Sequence, residues 1–337
     1  MSLKNVSLLL VSFFMCTVFS QTSFAAPLKI GMVTDVGGVN DQSFNQSAWE
    51  GLQRTKKELG IKVSYQESKQ DADYPANLET LYDAKNDLIW GIGFKMADAI
   101  MIAAKQNPKQ KYAIIDYSYG DKTPPNVVGV MFKAEEGAFL AGYIASKMSK
   151  SGTLGFIGGM SVPIIHSFQY GFMAGAKYAN KKITILEQHA ESFTDAAKGK
   201  AIANQMMGKG ADVLFHAAGA VGDGVIEAVK EKDKMAVGVD RDQNYMAPKN
   251  VITSSMKRID NAIFNVVSEL NKGVFKGGKT IEYGLKDGAV DIAPTTTKMI
   301  PSVLLEDVAK LKKEIVAGKI KIPNNQKAYN SYLKTLK

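Results

Sequence analysis

The sequence predicts an α/β fold made of two similar lobes, each a parallel sheet with helices on both faces. Three observations predict it. Short apolar runs alternate with helical segments from Leu28 onward, the pattern restarts in the second half, and the halves match at a constant spacing of 124 residues. Continuously apolar strands are what a sheet buried on both faces requires.

The first lobe reads in order. Leu28–Thr34 is a strand, Ser43–Leu59 a helix, Ile61–Gln66 a strand and Tyr74–Ala84 a helix. Leu88–Gly93, Tyr112–Asp116 and Val127–Phe132 are further strands, with a helix over Lys95–Gln106 between the first two. Strand-sized apolar runs separated by helix-sized segments indicate βαβ units.

The restart is a duplication. At the 124-residue spacing Gly31 falls on Gly155, Ser43-Phe44 on Ser167-Phe168 and Gly51 on Gly175. Glu67-Ser68 falls on Glu191-Ser192, Asp71-Ala72 on Asp195-Ala196, Asp116 on Asp240, Val127 on Val251 and Lys133 on Lys257. With one residue of slack, Asp87-Leu88-Ile89-Trp90 meets Asp212-Val213-Leu214-Phe215. Shared strand composition would explain the apolar matches but not the matched polar pairs and strand-end aspartates. A repeated unit does.

Composition narrows the class. The chain has 337 residues, 45% of them hydrophobic, with one Cys and a net charge of +9. It is too apolar for disorder and too poor in Cys for a disulfide scaffold. Its positive charge is spread out, as in Lys230-Glu231-Lys232-Asp233-Lys234, so solvated helix faces explain it and no nucleic-acid partner is expected. At the start, Lys4 precedes an uncharged run from Val6 to Phe19, and Ser23-Phe24-Ala25 offers small residues for cleavage after Ala25. This reads as an export signal over residues 1–25. Met15 precedes Cys16 where lipid attachment wants a small residue, so a free periplasmic protein without a lipid anchor is expected.

In open α/β sheets ligands sit beyond the carboxyl ends of the strands. Two such ends facing one another make a cleft, with residues paired by the duplication on opposite walls. Phe44 and Phe168 each start the helix after their lobe's first strand, behind polar loops, and can close on a planar ligand from both sides. Phe215 is the alternative second wall. Asp116 and Asp240 can each accept two hydroxyl hydrogen bonds from a ligand, or cap a local turn. Lys257 can add a charge-assisted bond or hold an aspartate in place. Asp35 and Asn45 flank Phe44 and suit the edge of a base. Gly219 and Gly222, in Ala218-Gly219-Ala220-Val221-Gly222-Asp223-Gly224, let backbone approach a ligand. That order is neither a dinucleotide fingerprint nor a P-loop. The histidines His166, His189 and His216 lack metal-ligand spacing, and no G-x-S-x-G elbow exists. Binding is expected, with no enzyme activity, metal or cofactor.

These residues are also familiar as a set. The run Thr34-Asp35-Val36-Gly37-Gly38-Val39-Asn40-Asp41-Gln42-Ser43-Phe44-Asn45 resembles the signature of the basic membrane protein, or PnrA-like, family. So do Gly91-Ile92-Gly93-Phe94, His216-Ala217-Ala218-Gly219, Val237-Gly238-Val239-Asp240-Arg241-Asp242-Gln243 and Thr253-Ser254-Ser255-Met256-Lys257-Arg258. The resemblance covers residues 28–322 and implies a type I periplasmic-binding-protein fold, two Rossmann-like lobes joined by three hinge crossings. The expected lobes are then 27–132 with 256–280, and 133–255 with 281–337. It implies a substrate-binding component of an ABC importer, a monomer taking a purine nucleoside such as adenosine, guanosine or inosine and partnering a permease. The base would stack between aromatic rings while acidic residues hold the ribose. Asp41 and Gly93 join the site through these motifs. The loop at Gly219 departs from the family's Gly-Thr-Gly-Asn-Gly, losing a hydroxyl and an amide.

Overall fold

The computed structural model describes residues 26–336. The expected export signal and its expected cleavage site after Ala25 lie outside the described residues. The first run of elements is β1 (Lys29–Val33), α1 (Phe44–Leu59), β2 (Lys62–Gln66), α2 (Tyr74–Asp83), β3 (Leu88–Ile92), α3 (Ala97–Gln106), β4 (Lys111–Ile115) and β5 (Val127–Phe132). The second is α4 (Ala134–Met148), β6 (Thr153–Gly158), α5 (Pro163–Ala179), β7 (Thr184–His189), α6 (Ala196–Gly208), β8 (Val213–Ala217), α7 (Val221–Glu231), β9 (Met235–Asp240) and β10 (Val251–Lys257). Last come α8 (Ile259–Asn271), β11 (Lys279–Tyr283), β12 (Val290–Ile292), α9 (Thr296–Met299), α10 (Ser302–Val316) and α11 (Gln326–Leu333). The first-lobe elements fall within two residues of those expected, the usual fraying of element ends.

Two six-stranded sheets form, in the orders β2-β1-β3-β4-β5-β11 and β7-β6-β8-β9-β10-β12. The equivalent pairs β1–β3 and β6–β8 are both parallel. The central strands Leu88–Ile92 and Val213–Ala217 are buried along their whole length, whereas the edge strand Lys62–Gln66 is largely exposed. The chain passes between sheets after β5, after β10 and after β11. The later two crossings correct the expected lobe limits. β10 stays in register with β9 through Met256 and with β12 through Lys257, and β11 stays in register with β5 through Tyr283. Strand pairing carries each element a few residues past the 255/256 and 280/281 boundaries.

The duplication stops at the sixth strand. β11 joins β5 in parallel, but β12 joins β10 antiparallel. Within the repeat the matched glycines do matched work. A Cβ on Gly51 would meet Asp260 backbone in α8 at 2.8 Å, and one on Gly175 would meet the Phe139 carbonyl in α4 at 1.9 Å. In both lobes the helix after the first strand lies against the helix that follows a crossing, and only hydrogen fits between them.

Candidate functional site

Each sheet carries its switch point between its first and third strands, where loops diverge and leave a crevice. The two crevices face each other across one cavity, lined from both sides. The first sheet contributes Asp35, Asp41, Phe44 and Asn45 after β1, Gly93 after β3 and Asp116 after β4. The second contributes Phe168 from α5, Gly219 after β8, Asp240 at the end of β9 and Lys257 at the end of β10.

Gly222 is the expected site residue that does not line this cavity. A Cβ there would lie 2.0 Å from the His216 ring, so it lets α7 pack on β8. Gly219 does line the cavity, in the left-handed region with φ +56°. Phe215 is also outside the lining, fully buried against Phe156 and Phe172 with ring centroids 5.5 and 5.0 Å away.

The strand-end aspartates share a backbone feature. Asp116 has φ +63° and Asp240 φ +61°, a conformation uncommon for residues with a side chain. It is kept at both equivalent positions and turns both carboxyls into the cleft. Asp116 Oδ2 accepts from Lys257 Nζ at 2.6 Å, while its buried Oδ1 has no partner. Asp240 Oδ2 accepts from Ser43 Oγ at 2.5 Å, a bond between the two sheets' sides. The Lys257 ammonium sits 4.6 Å from the Phe44 ring centroid and 5.6 Å from those of Phe132 and Phe168. Paired with a carboxylate and surrounded by ring faces, it is stabilised as a buried cation.

The loop before α1 shows which groups remain free for a ligand. Asp41 accepts from the backbone N–H groups of Ser43, Asn45 and Gln46 at 2.8–3.0 Å. Its carboxylate thereby satisfies the otherwise orphaned donors of the first turn, at the positive end of the helix. Asn45 Nδ2 donates to Asp35 Oδ1 at 2.7 Å and to Asp41 Oδ2 at 2.9 Å, and its Oδ1 accepts from Asp35 N. Asn45, expected to read a ligand edge, lines the cavity with both amide donors engaged. Its amide is spent on holding the two carboxylates. Asp35 Oδ1 also accepts from Gly37 N, and its Oδ2 lies 3.6 Å from where a Cβ of Gly93 would sit, beside the Phe44 ring. Gly93, at φ +116°, keeps this wall open.

Among the lining residues outside the expected set are two rings and a cation. Phe193, half-buried after β7, brings a third ring to the cavity, and Phe94 and Lys95 extend the wall after β3. The Phe-containing motif Gly91-Ile92-Gly93-Phe94 marked the second of these places. Nothing local marks Phe193.

Burial shapes the acid chemistry. Desolvation raises Asp35 to about 6 against the hydrogen bonds from Gly37 and Asn45. It raises Asp240 to about 6 against the pull of Lys257 and Ser43. An acid with a raised folded-state pKa binds its proton more tightly in the fold than unfolded. Its stabilising contribution is present at acid pH and lost as pH rises through about 6. His216, held neutral by burial with its pKa lowered to about 4, acts oppositely over the same window. Asp35→Asn and Asp240→Asn should therefore each reduce the loss of melting temperature between pH 5 and pH 7.5, relative to the unsubstituted chain. Profiles parallel to the unsubstituted one would show that neither acid takes up its proton in the fold.

Residues 28–326 match the family model described as ABC transporter substrate-binding protein PnrA-like. The chain is 44% identical over 310 residues to Basic membrane protein A of Borreliella burgdorferi, covering 91% of each protein. It is 41% identical over 324 residues to Basic membrane protein B of the same organism, covering 93% of each. Among solved structures, a solute-binding protein of an ABC transporter system from Aeropyrum pernix K1 superposes with a TM-score of 0.82 at 27% identity, over 92% of this chain and 97% of that one. With two facing parallel sheets and three crossings, the fold is that of a type I periplasmic binding protein. Sequence, fold and cavity agree: this chain belongs to the PnrA-like family of ABC transporter substrate-binding proteins.

Proposed function

We propose that this protein binds one purine nucleoside between its lobes and hands it to an ABC permease. The observation that carries this reading is the orphaned Oδ1 of Asp116, a buried acceptor in a cavity walled by rings from both sides. A buried acceptor without a partner is costly, and a ligand hydroxyl relieves it. Asp240 offers a second acceptor. Phe44 on one side, with Phe168 and Phe193 on the other, suits a flat base between them. Asp35 keeps one oxygen for donors on the base edge. Four lining carboxyls, Asp35, Asp41, Asp116 and Asp240, face only Lys95 and Lys257, so a phosphate would meet repulsion. The site is one for binding rather than turnover.

No helix among the described residues is long and apolar enough to cross a membrane. The reading extends to a free, monomeric periplasmic protein processed after Ala25, and it rests on the export signal expected over residues 1–25 and the Met15 that precedes Cys16. One experiment tests both parts. Protein taken from a periplasmic extract is weighed intact, then titrated calorimetrically with adenosine, guanosine, inosine, uridine, ribose and AMP. Expected are an N-terminus at Ala26, one purine nucleoside bound per chain, and no binding of ribose or AMP. Ribose binding as tightly as a nucleoside would overturn the stacking role, and a lipid on Cys16 would overturn the free form.

A further inference from the structure

A duplicated fold should bridge its cleft in the same way on both rims. It does not. Ser43 Oγ reaches across to Asp240 at 2.5 Å, but its equivalent Ser167 donates to the Pro163 carbonyl of its own helix at 3.3 Å.

Further out on the Ser43 rim, Arg241 Nη2 donates to Glu50 Oε1 at 2.6 Å and Nε to Oε2 at 3.3 Å, a forked pair between the loop after β9 and helix α1. Arg241 Nη1 also donates to the Tyr245 hydroxyl at 3.4 Å, and that hydroxyl donates to the Gln42 side-chain carbonyl. Gln243 Nε2 donates to the Gln42 backbone carbonyl at 3.2 Å, with Gln42 held at φ +54°. Nearby charges do not compete for this pair. Arg258 is forked onto Asp260 at 2.9 and 2.7 Å, and Asp242 accepts from Thr295 and Asn244. On the opposite rim, among the described residues, no hydrogen bond or ion pair joins the segment 116–121 to 166–174, and Asp116 is linked to the second sheet by the buried Lys257 instead.

We propose that Glu50 and Arg241 are positioning residues for binding: their pair clasps one rim of the cleft. Neither lines the cavity. Forked arginine–carboxylate pairs are stronger than single contacts and fix geometry as well as energy. Arg241 keeps only 20% of its side-chain surface exposed in this pair, so solvent screens it incompletely. Apparent affinity scales with the fraction of molecules already in the binding-competent form. A clasp that raises that fraction tightens binding without touching the ligand.

The test uses the full chain with Arg241→Met, Glu50→Gln and both together. Small-angle scattering of the ligand-free proteins should give a larger radius of gyration for each single variant than for the unsubstituted chain. The double variant should be no larger than either single one, because one pair is being broken. Titration with inosine should weaken roughly three- to thirty-fold in each variant, the range between exposed pairs and hydrogen bonds to charged groups. This second measurement rests on the nucleoside reading, while scattering does not. An unsubstituted chain that fails to bind inosine would sink that reading and leave the clasp to scattering alone. Unchanged radii in both single variants, or additive expansion in the double one, would overturn the clasp.

Discussion

Asp116→Ala is expected to cost about 3–5 kcal/mol of stability, the scale for stripping a buried charge of its partner. It is also expected to abolish ligand binding. The Lys257–Asp116 pair has side-chain exposures of 3% and 5% and a separation of 2.6 Å. Without the carboxylate, the Lys257 ammonium would keep only the ring faces of Phe44, Phe132 and Phe168. Those recover roughly 0.5–2 kcal/mol of the loss. Asp116→Asn with Lys257→Met removes both charges at similar volume, so it should regain most of the stability while binding stays lost. Urea unfolding and calorimetry on the same samples separate the two effects. Full stability in Asp116→Ala would mean that the ammonium reaches water on its own, and that the pair serves the ligand alone.

The second large effect divides two residues that the duplication treats as equals. Phe168 is 2% exposed and meets the buried Phe215 edge-on at 6.2 Å. Phe168→Ala should cost about 3–5 kcal/mol of stability, as for other buried aromatics cut to Ala. Phe44 is only partly buried and stands at the first turn of α1 facing the cavity. Phe44→Ala should weaken nucleoside binding by about 1–3 kcal/mol, the scale of one base–aromatic stack, with a smaller loss of stability. Phe193→Ala, at a half-buried ring on the opposite wall, should behave like Phe44→Ala. Melting temperature and affinity measured together decide the matter. Equal loss of stability in Phe44→Ala and Phe168→Ala would mean that both rings are packing residues, leaving the base without its first wall.

The parts of the site that could be read along the chain were those whose chemistry is local. A strand-end aspartate in each repeat, a Phe at each equivalent helix start and a polar loop before each helix are each recognisable from a few residues around them. Duplication then placed them in pairs. The cavity gathers Asp116, Asp240, Phe44, Phe168 and Lys257 as that pairing implies. Where the reading failed, the deciding neighbour lay far off or the local role was ambiguous. Gly222 was read as a loop glycine near a ligand, yet the close approach it permits is to His216. Asn45 was read by its type, and in the fold its donors go to two carboxylates of the preceding loop, Asp35 and Asp41.

By itself the sequence determined the two-lobed parallel architecture, the repeat that relates the lobes and the residue types at the strand ends. Strand and helix patterns record burial and backbone preference, which act over a few residues, and a duplication repeats them. Only the tertiary structure decided how the sixth strand closes each sheet, where the crossings fall, that Phe193 reaches the cavity while Phe215 stays in the core, and that Glu50 meets Arg241 on one rim while their equivalents on the other do not pair. Each of these depends on which side chain meets which across separations such as the 191 residues between Glu50 and Arg241. Whether Ser43 finds Asp240 or Ser167 turns back to its own helix is settled when two surfaces dock, because a short polar side chain bonds the nearest acceptor the fold brings to it.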